Sequence, residues 1–339
     1  MTEFRRDPIT GRWVIVVPGR AARPNEHAAA APTLPASADC PFCEGNESRT
    51  PPEVAALGPP GRAENERGWY VRAIPNRFPT VTPETPDPEP RAVGSGFEVR
   101  KGFGYHEVVI ESPTHAPLLP FLPSEQVARV LRVCRERVQA LSERENVGSV
   151  TLFENSGPES GGSLWHPHAQ LVGTPGFSPT LTEELEGMDR YRARTGADCA
   201  FEDVGRAELR DGERVVFETA EFVAFAPFAS AYPYEVRVLP TRHSASFARA
   251  TDTELETLAE RLPLLLRGLL SVLPGASYNL VVSSPAGSSP GHPAYHWHLD
   301  LCPRLVRPDG FDLGSGFHVN PVSPEGAAAT LRTALGAKR

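Results

Sequence analysis

The alternation of apolar and polar residues along the chain predicts two series of β-strands. Segments rich in β-branched and aromatic residues and bounded by Gly or Pro are typical of strands. The first series is predicted at residues 11–19, 69–76, 105–113, 147–157 and 168–175. The second series is predicted at residues 214–229, 234–243, 278–285 and 295–303.

One helix is predicted within the first series, at residues 123–144, where Ser124 is a candidate N-cap. Its apolar side chains recur every three or four residues and therefore share one face of the helix. These residues are Val127, Val130, Leu131, Cys134 and Val138. A third, short helix is predicted at residues 323–339, at the end of the sequence.

The second series contains a helix of the same type at residues 251–273. Thr251 or Thr253 can cap its first turn. Pro263 lies inside this segment, and because proline removes one backbone hydrogen bond, it predicts a kink or a break.

The two series have the same order of elements: a strand followed by a histidine, then a helix, a strand, and a strand with a His-X-His motif. The interval from His115 to His168 is nearly equal to the interval from His243 to His298. This correspondence predicts one structural plan used twice. We therefore expect an α+β protein with an N-terminal half at 1–178 and a C-terminal half at 179–339, each a mainly antiparallel sheet with a crossing helix.

Charge and hydropathy exclude two classes of partner. The 339 residues include 34 basic and 42 acidic side chains, which gives a net charge of −8 without a long Lys/Arg run, so nucleic acid is not expected as a general partner. The sequence contains no apolar run long enough to span a membrane, and its first residues lack the features of a signal peptide. We expect a cytoplasmic protein without a membrane partner.

Only two of the five cysteines are close in sequence, namely Cys40 and Cys43 in DCPFCEG. In a reducing compartment such a pair is either half of a metal site or a redox pair. A redox pair usually stands where a helix begins, whereas the following EGNESRTPPE is turn-like and rich in polar residues and proline. The metal interpretation is therefore favoured.

The chemistry is expected in SLWHPHAQL, residues 163–171. Alternate residues of a strand point to the same face, so His166, His168 and Gln170 share one side of the sheet. A single histidine in a strand is usually structural, and His106 in GYHEV is interpreted in that way. Here, however, the loop NSGPESGGS precedes the histidines, and its small residues allow backbone amides to approach an anion closely. The combination predicts a phosphoryl site.

The side chains in this motif predict a covalent mechanism. A neutral imidazole is a good nucleophile toward phosphorus, so His168 is expected to carry a nucleotidyl group and to pass it to another phosphate. Gln170 can donate a hydrogen bond to a phosphoryl oxygen but has no proton to transfer. Cys40 and Cys43 need two further ligands, and His115 and His166 complete a closed Cys2His2 zinc site with a structural role.

These motifs resemble the galactose-1-phosphate uridylyltransferases, a branch of the histidine triad superfamily. The resemblance extends along nearly the whole chain, and its most specific parts are CPFCEGNESRTPPE, GYHEVVIESPTH and FENSGPESGGSLWHPHAQ. It implies two histidine-triad-like halves and a homodimer. It also implies ping-pong exchange of UMP between UDP-glucose and galactose 1-phosphate through a uridylyl-histidine.

The resemblance also assigns residues by position. His168 matches the nucleophile and Gln170 the phosphoryl-binding glutamine, and the zinc ligands match Cys40, Cys43, His115 and His166. The substrate-binding positions match Arg20 and Arg23 near the phosphates, Asn76 and Phe78 at the base, and Asn155 and Ser163 around the phosphates.

A second metal is found in some members of that family, held by a glutamate and three histidines. His296 and His298 are present here, and Glu183 or Glu184 can supply the carboxylate. Serines stand in VVSSPAG where another histidine is expected. We therefore expect one structural zinc ion per chain.

Three functions remain open at this stage. The first is UMP exchange as described. The second is suggested by GFDLGSGFHVNP, which is similar to a branch that includes ADP-glucose phosphorylases, and it uses the same histidine with phosphate or water as acceptor. The third is a zinc-stabilised protein that binds nucleotides without catalysis. The C-terminal half is not expected to catalyse, because Asp300 stands where Gln170 stands in the first half and repels a phosphoryl group.

Overall fold

The computed structural model describes residues 2–22, 39–84, 89–115, 118–286 and 295–336. Most of the predicted strands are present. The strands are β1 Glu3–Arg6, β2 Trp13–Val16, β3 Ala55–Leu57, β4 Val71–Pro75, β5 Arg91–Ala92, β6 Glu98–Val99, β7 Tyr105–Ile110, β8 Ser149–Ser156, β9 His168–Thr174, β10 Val215–Glu218, β11 Phe222–Phe225, β12 Val236–Pro240, β13 Tyr278–Pro285, β14 Leu299–Pro303 and β15 His318–Asn320. The helices are α1 Ser124–Ser142, α2 Pro179–Thr195, α3 Ala200–Asp211, α4 Asp252–Val272, α5 Gly310–Ser315 and α6 Pro324–Ala334.

A single ten-stranded antiparallel sheet joins the two series, in the order β10-β11-β12-β14-β13-β8-β9-β7-β4-β3. Strands β8 and β13 meet at its centre and pair over their whole length, from Tyr278 opposite Ser156 to Pro285 opposite Ser149. Five strands lie on each side of this seam, and the two sets are arranged in matching order. The α+β class with a large antiparallel sheet is confirmed. The domain boundary between 178 and 179 stays a prediction.

Helices α1 and α4 contact each other and cover one face of the sheet. Val127, Val130 and Val138 of α1 are buried there, as their spacing predicts. Ala169 and Leu171 of β9 belong to the same apolar core. Since side chains alternate along a strand, His168 and Gln170 of β9 face away from these helices.

The helix ends differ in part from the prediction. Pro123, not Ser124, precedes the first turn of α1, and its N-cap makes no side-chain hydrogen bond. Thr251 caps α4 and forms a capping box with Glu254, as expected. Of the two alternatives predicted at Pro263, the break is wrong, because α4 continues from Asp252 to Val272, and the kink stays a prediction. The proline ring is buried, and we attribute the intact helix to the apolar burial around it, which offsets the lost hydrogen bond.

Several other elements were not predicted correctly, and strands β1, β3, β5, β6 and β15 and helix α5 were not predicted at all. The segment 214–229 is a hairpin of β10 and β11 rather than one strand. Helices α2 and α3 were missed because their sequences are mostly polar. Ser178 caps α2 by accepting a hydrogen bond from the Leu181 N–H. Helix α6 ends at Ala334, and residues 337–339 of the predicted helix lie outside the described residues. None of the described helices combines the length and the apolar composition that crossing a membrane requires.

Candidate active site and metal clusters

His168 and Gln170 of the predicted motif lie on β9, between β7 and β8, whereas His166, which was expected in the same strand, precedes it. His168 pairs with Ile110 of β7, and Gln170 lies between Val108 of β7 and Phe153 of β8. His168 is 7% exposed and Gln170 is half-buried. Two neighbouring strands therefore hold this part of the backbone, and the two side chains share the face of the sheet that α1 and α4 leave uncovered.

A backbone hydrogen bond fixes the orientation of the His168 ring. Its Nδ1 atom is 2.7 Å from the carbonyl oxygen of His166. A carbonyl oxygen only accepts, so Nδ1 carries the proton and Nε2 keeps its lone pair. Burial lowers the pKa of His168, although the bond to His166 opposes this shift. The ring is thus neutral near pH 7, and Nε2 has the properties of a nucleophile.

Gln170 is bound by a residue that the sequence did not indicate. Its Oε1 atom is 3.0 Å from Nε2 of His106 on β7. The other ring nitrogen of His106 accepts a hydrogen bond from the Thr80 N–H at 3.1 Å. The interpretation of His106 as a purely structural residue at a strand end therefore missed its contact with the site, because that contact depends on the pairing of β7 with β9.

The four predicted zinc ligands form one cluster. The ligand atoms of Cys40, Cys43, His115 and His166 all lie within 4.8 Å of one another. Nδ1 of His166 is 3.6 Å from the Cys40 sulfur and 3.7 Å from the Cys43 sulfur, and His115 Nδ1 is 3.7 Å from the Cys43 sulfur. Zn–S and Zn–N bonds in a tetrahedron place sulfur and nitrogen about 3.6 Å apart. The residues therefore fit a tetrahedral zinc ion.

The protonation of this cluster also suits a metal. Nε2 of His166 donates to the Ser112 carbonyl at 2.7 Å, which leaves Nδ1 as the atom with a lone pair. Burial, with smaller effects from His115 and His168, lowers the pKa of His166 to about 4. Burial and the neighbouring Cys40 raise the pKa of Cys43 to about 11. A Cys43 thiol with a raised pKa resists ionisation unless a cation compensates the thiolate.

A second cluster, beyond the one expected, could also hold a metal. Ligand atoms of Cys199, Glu202, His243 and His296 also lie within 4.8 Å of one another. The Cys199 sulfur is 3.8 Å from His296 Nδ1, and His243 Nδ1 is 3.1 Å from Glu202 Oε1. Two clusters in the described chain can therefore hold a metal. The correspondence of His243 with His115 was a signal for the second one.

His296 and His298, which were suggested as ligands of the same second metal together with Glu183 or Glu184, do not lie in one cluster. His298 Nε2 is 3.4 Å from Glu184 Oε1 and 3.6 Å from Asp300 Oδ2, so it belongs to another group than His296. Glu183 pairs with Arg12 instead. The serines in VVSSPAG, which stand where a third histidine ligand was expected, do not take part in the second cluster. Cys199 and Glu202 complete that cluster instead.

The C-terminal counterpart of the catalytic strand is β14. His298 Nδ1 is 3.1 Å from the His296 carbonyl oxygen, which repeats the geometry of the first half. Arg237 binds both carboxylate oxygens of Asp300, each at 2.8 Å, at the position that corresponds to Gln170. The Phe201 ring lies 4.6 Å from the His298 ring. The position that corresponds to Gln170 is thus occupied by an ion pair, and an aromatic ring lies beside His298.

Two of the expected base-binding residues lie next to His106. Asn76 follows β4, and its Nδ2 atom is 3.0 Å from His106 Nε2. Phe78 is 85% exposed, and its N–H donates to Asn76 Oδ1 at 2.9 Å. Both therefore lie close to the histidine that contacts Gln170.

The expected phosphate-binding residues are more dispersed. Asn155 accepts a hydrogen bond from Asn279 of β13 at 2.7 Å, and Ser163 is exposed. Arg20 is paired with Asp309 at 2.9 Å, and no described contact connects it to His168. Arg23 lies outside the described residues.

The loop before the histidines requires glycine. Gly157 has a φ of +87°, and a Cβ atom there would lie 2.4 Å from Ser277 Oγ. A Cβ atom on Gly162 would lie 2.9 Å from the Asn155 carbonyl oxygen. The loop therefore folds tightly against itself and against β13, in keeping with the predicted close approach of backbone to an anion.

A large antiparallel sheet that carries His168 and Gln170 on one strand, beside a Cys2His2 cluster, defines a nucleotidyltransferase-like enzyme of the histidine triad superfamily. The chain belongs to the galactose-1-phosphate uridylyltransferase family, since the family model for the N-terminal domain of galactose-1-phosphate uridyl transferase matches residues 1–176.

Relatives of two kinds, a phosphorylase and a uridylyltransferase, match nearly the whole chain. ADP-glucose phosphorylase of Arabidopsis thaliana is 32% identical over 97% of this chain and 92% of its own. Galactose-1-phosphate uridylyltransferase of Thermotoga maritima is 27% identical over 98% of both chains. The crystal structure of the Arabidopsis phosphorylase with bound ADP-glucose has a TM-score of 0.82 at 30% identity and covers 98% of each chain.

Proposed function

We propose that this protein is a nucleotide-sugar phosphorylase that transfers an adenylyl group from an ADP-sugar through His168 to inorganic phosphate. The covalent route rests on one observation, the hydrogen bond from His168 Nδ1 to the His166 carbonyl, which leaves Nε2 free to attack. The choice of adenylyl is supported by the similarity to ADP-glucose phosphorylase, which is higher than that to the Thermotoga uridylyltransferase.

In the first step, Nε2 of His168 attacks the α-phosphorus of the nucleotide sugar. A P–N bond forms, the bond to the bridging oxygen breaks, and sugar 1-phosphate leaves. A phosphate leaving group needs no proton from a general acid, which suits a glutamine at position 170. The ring becomes cationic, and the His166 carbonyl stabilises the proton on Nδ1.

In the second step, an oxygen of inorganic phosphate attacks the same phosphorus. The P–N bond breaks, the nucleoside diphosphate leaves, and His168 returns to its neutral form. Gln170 donates a hydrogen bond to a non-bridging oxygen in both steps, where negative charge accumulates. Both transfers therefore use the same two side chains.

The other candidate site residues have binding and structural roles in this proposal. Asn76 and Phe78 contact the base, and Asn155 and Ser163 contact the phosphates together with Arg20 and Arg23. Cys40, Cys43, His115 and His166 hold zinc. A closed four-ligand zinc site holds protein segments together and does not act as a Lewis acid. Its ligand His166 supplies the carbonyl that orients His168.

The fold supports a repeated organisation. We assign the two halves, 1–178 and 179–339, to histidine-triad-like units that share one sheet, because five strands lie on either side of the β8–β13 seam in matching order. Only the first half catalyses, since Arg237 and Asp300 occupy the second phosphoryl position. We expect a homodimer, as the family resemblance implies.

Exchange of UMP between UDP-glucose and galactose 1-phosphate is the second candidate, and membership in the family favours it. A panel of ADP-, UDP- and GDP-glucose, each with inorganic phosphate or galactose 1-phosphate, separates the two. We expect phosphate-dependent formation of ADP and glucose 1-phosphate. UDP-galactose formation from UDP-glucose would instead support the uridylyltransferase. Nucleotide binding without any turnover would leave the non-enzymatic alternative.

A further inference from the structure

We propose that His106 is a positioning residue that fixes the orientation of the Gln170 side-chain amide, so that its NH2 group, and not its carbonyl, faces the transferring phosphoryl group. The inference rests on the proposed function for its catalytic consequence. Its structural content can be tested without any substrate.

The contact geometry singles out His106. It lies on β7, is 8% exposed, and reaches Gln170 Oε1 on the adjacent strand at 3.0 Å. Its Nδ1 is 3.1 Å from the Thr80 amide nitrogen. The Asn76 N–H donates to the His106 carbonyl at 2.8 Å, so the backbone of this loop is tied to the same residue.

These contacts determine the tautomer. Burial lowers the pKa of His106, and a neutral ring has one N–H and one lone pair. The Thr80 backbone N–H can only donate, so Nδ1 must accept and the ring proton lies on Nε2. Nε2 then donates to Gln170 Oε1. This N–H cannot also accept from Asn76 Nδ2, so the 3.0 Å contact between these two nitrogens is not a hydrogen bond.

The two orientations of the Gln170 amide have the same shape, so packing does not distinguish them. The tautomer of His106 therefore decides which orientation is adopted. With Oε1 held by His106, the NH2 group turns away from His106, on the face of β9 that also carries His168. The flipped amide would place an oxygen beside the phosphoryl oxygens and would repel them. The Thr80 N–H thus determines which ring nitrogen of His106 carries the proton. His106 in turn determines the direction in which the Gln170 NH2 group points.

Two variants separate positioning from a merely structural role. In His106→Gln the side-chain nitrogen reaches the position of Nε2 and keeps a donor for Gln170. In His106→Asn the side-chain oxygen reaches the position of Nδ1 and keeps an acceptor for Thr80, but the side chain is too short for Gln170. His106→Gln therefore keeps only the contact with Gln170, and His106→Asn keeps only the contact with Thr80. His106→Phe removes both contacts.

The readout is the rate constant of each transfer step, measured by quenched flow with ADP-glucose and then with inorganic phosphate, together with KM. We expect His106→Asn and His106→Phe to slow both transfers by about 10- to 100-fold with little change in KM. His106→Gln should recover most of the rate. In a Gln170→Ala background, His106→Phe should add little further loss, since it acts through Gln170. Unchanged transfer rates in His106→Asn, or full additivity with Gln170→Ala, would overturn the proposal.

A second measurement distinguishes failure of this inference from failure of the proposed function. Long-range 1H–15N spectra of the substrate-free protein report the tautomer of each histidine, and His106→Gln assigns the signal. We expect the Nε2–H form. The Nδ1–H form would refute the positioning role even in an active enzyme, whereas the Nε2–H form in a protein without phosphorylase activity would refute only the proposed reaction.

Discussion

The Nδ1 atom of His168 lies 2.7 Å from the backbone carbonyl oxygen of His166. The ring of His166 faces the sulfur atoms of Cys40 and Cys43, so one residue is both a candidate metal ligand and the group that orients the proposed nucleophile. His298 and His296 repeat this hydrogen bond at 3.1 Å in the second half. The difference between the halves lies two residues further on, at Gln170 and Asp300.

Gln170→Glu tests that difference directly. A carboxylate at this position accepts but does not donate, and it repels phosphoryl oxygens. We expect kcat to fall by about 100- to 1000-fold. The measurement is phosphate-dependent ADP formation from ADP-glucose. Val172→Thr, at a half-buried position on the same strand, serves as the control, and equal activity of Gln170→Glu and wild type would contradict the role of Gln170.

Metal removal tests the two clusters separately. Cys40→Ser should lose one zinc ion per chain and Cys199→Ser another, because each thiolate is one of four ligands. Inductively coupled plasma mass spectrometry measures the metal content. Cys302→Ser, outside both clusters, should retain it. Full zinc content in Cys40→Ser would refute the first site. Full content in Cys199→Ser would refute the second.

The buried carboxyl groups Glu111 and Glu154 make stability depend on pH. Burial raises the pKa of Glu154 to about 8 and that of Glu111 well above its usual value. The folded state therefore binds more protons than the unfolded state between about pH 4.5 and 8, and its stability falls as pH rises through this window. Glu154→Gln removes one of these ionisations.

We expect Glu154→Gln to flatten this dependence, with a gain relative to wild type on the order of 4 kcal/mol from pH 5 to pH 9. Urea unfolding at both pH values measures the effect. The exposed Glu145→Gln should follow the wild-type curve. Parallel curves for Glu154→Gln and wild type would show that Glu154 is ionised in the folded protein at both pH values.

Gly157→Ala tests the loop before the catalytic strand. The positive φ and the approach to Ser277 Oγ both oppose a side chain, so we expect a loss of about 2 to 3 kcal/mol in stability and weaker ADP-glucose binding. Gly161→Ala is the matched control, since its φ is also +87° but its nearest neighbour, Asn155 Nδ2, is 3.9 Å away. Equal losses in both variants would mean that the close approach contributes nothing.

The sequence predicted those parts of the fold that depend on local pattern. The strands that bear the histidines and the long helices α1 and α4 follow from periodicity, and HPHAQ with Cys-X-X-Cys predicted the first cluster. The joining of the two series at β8 and β13 is a tertiary contact that no local pattern encodes. Pro263 shows the same limit, because burial overrides its local preference.

The parts of the site that were missed depend on contacts between distant segments. His106 reaches Gln170 only because β7 pairs with β9, and its tautomer depends on Thr80, which lies in another loop. Cys199 and Glu202 join His243 and His296 through the start of α3, a helix whose polar sequence gave no strong signal. The repeat relation between His243 and His115 was the one indication of that cluster.

Covalent trapping on His168 tests the central claim most directly. The protein is incubated with ADP-glucose without phosphate, denatured, digested and analysed by mass spectrometry, with UDP-glucose in parallel. We predict an adenylyl group on His168, released glucose 1-phosphate in equal amount, retention of the adduct in His298→Ala and its loss in His168→Ala. Undiminished turnover in His168→Ala, or turnover in wild type without any nucleotidyl adduct on His168, would contradict the account.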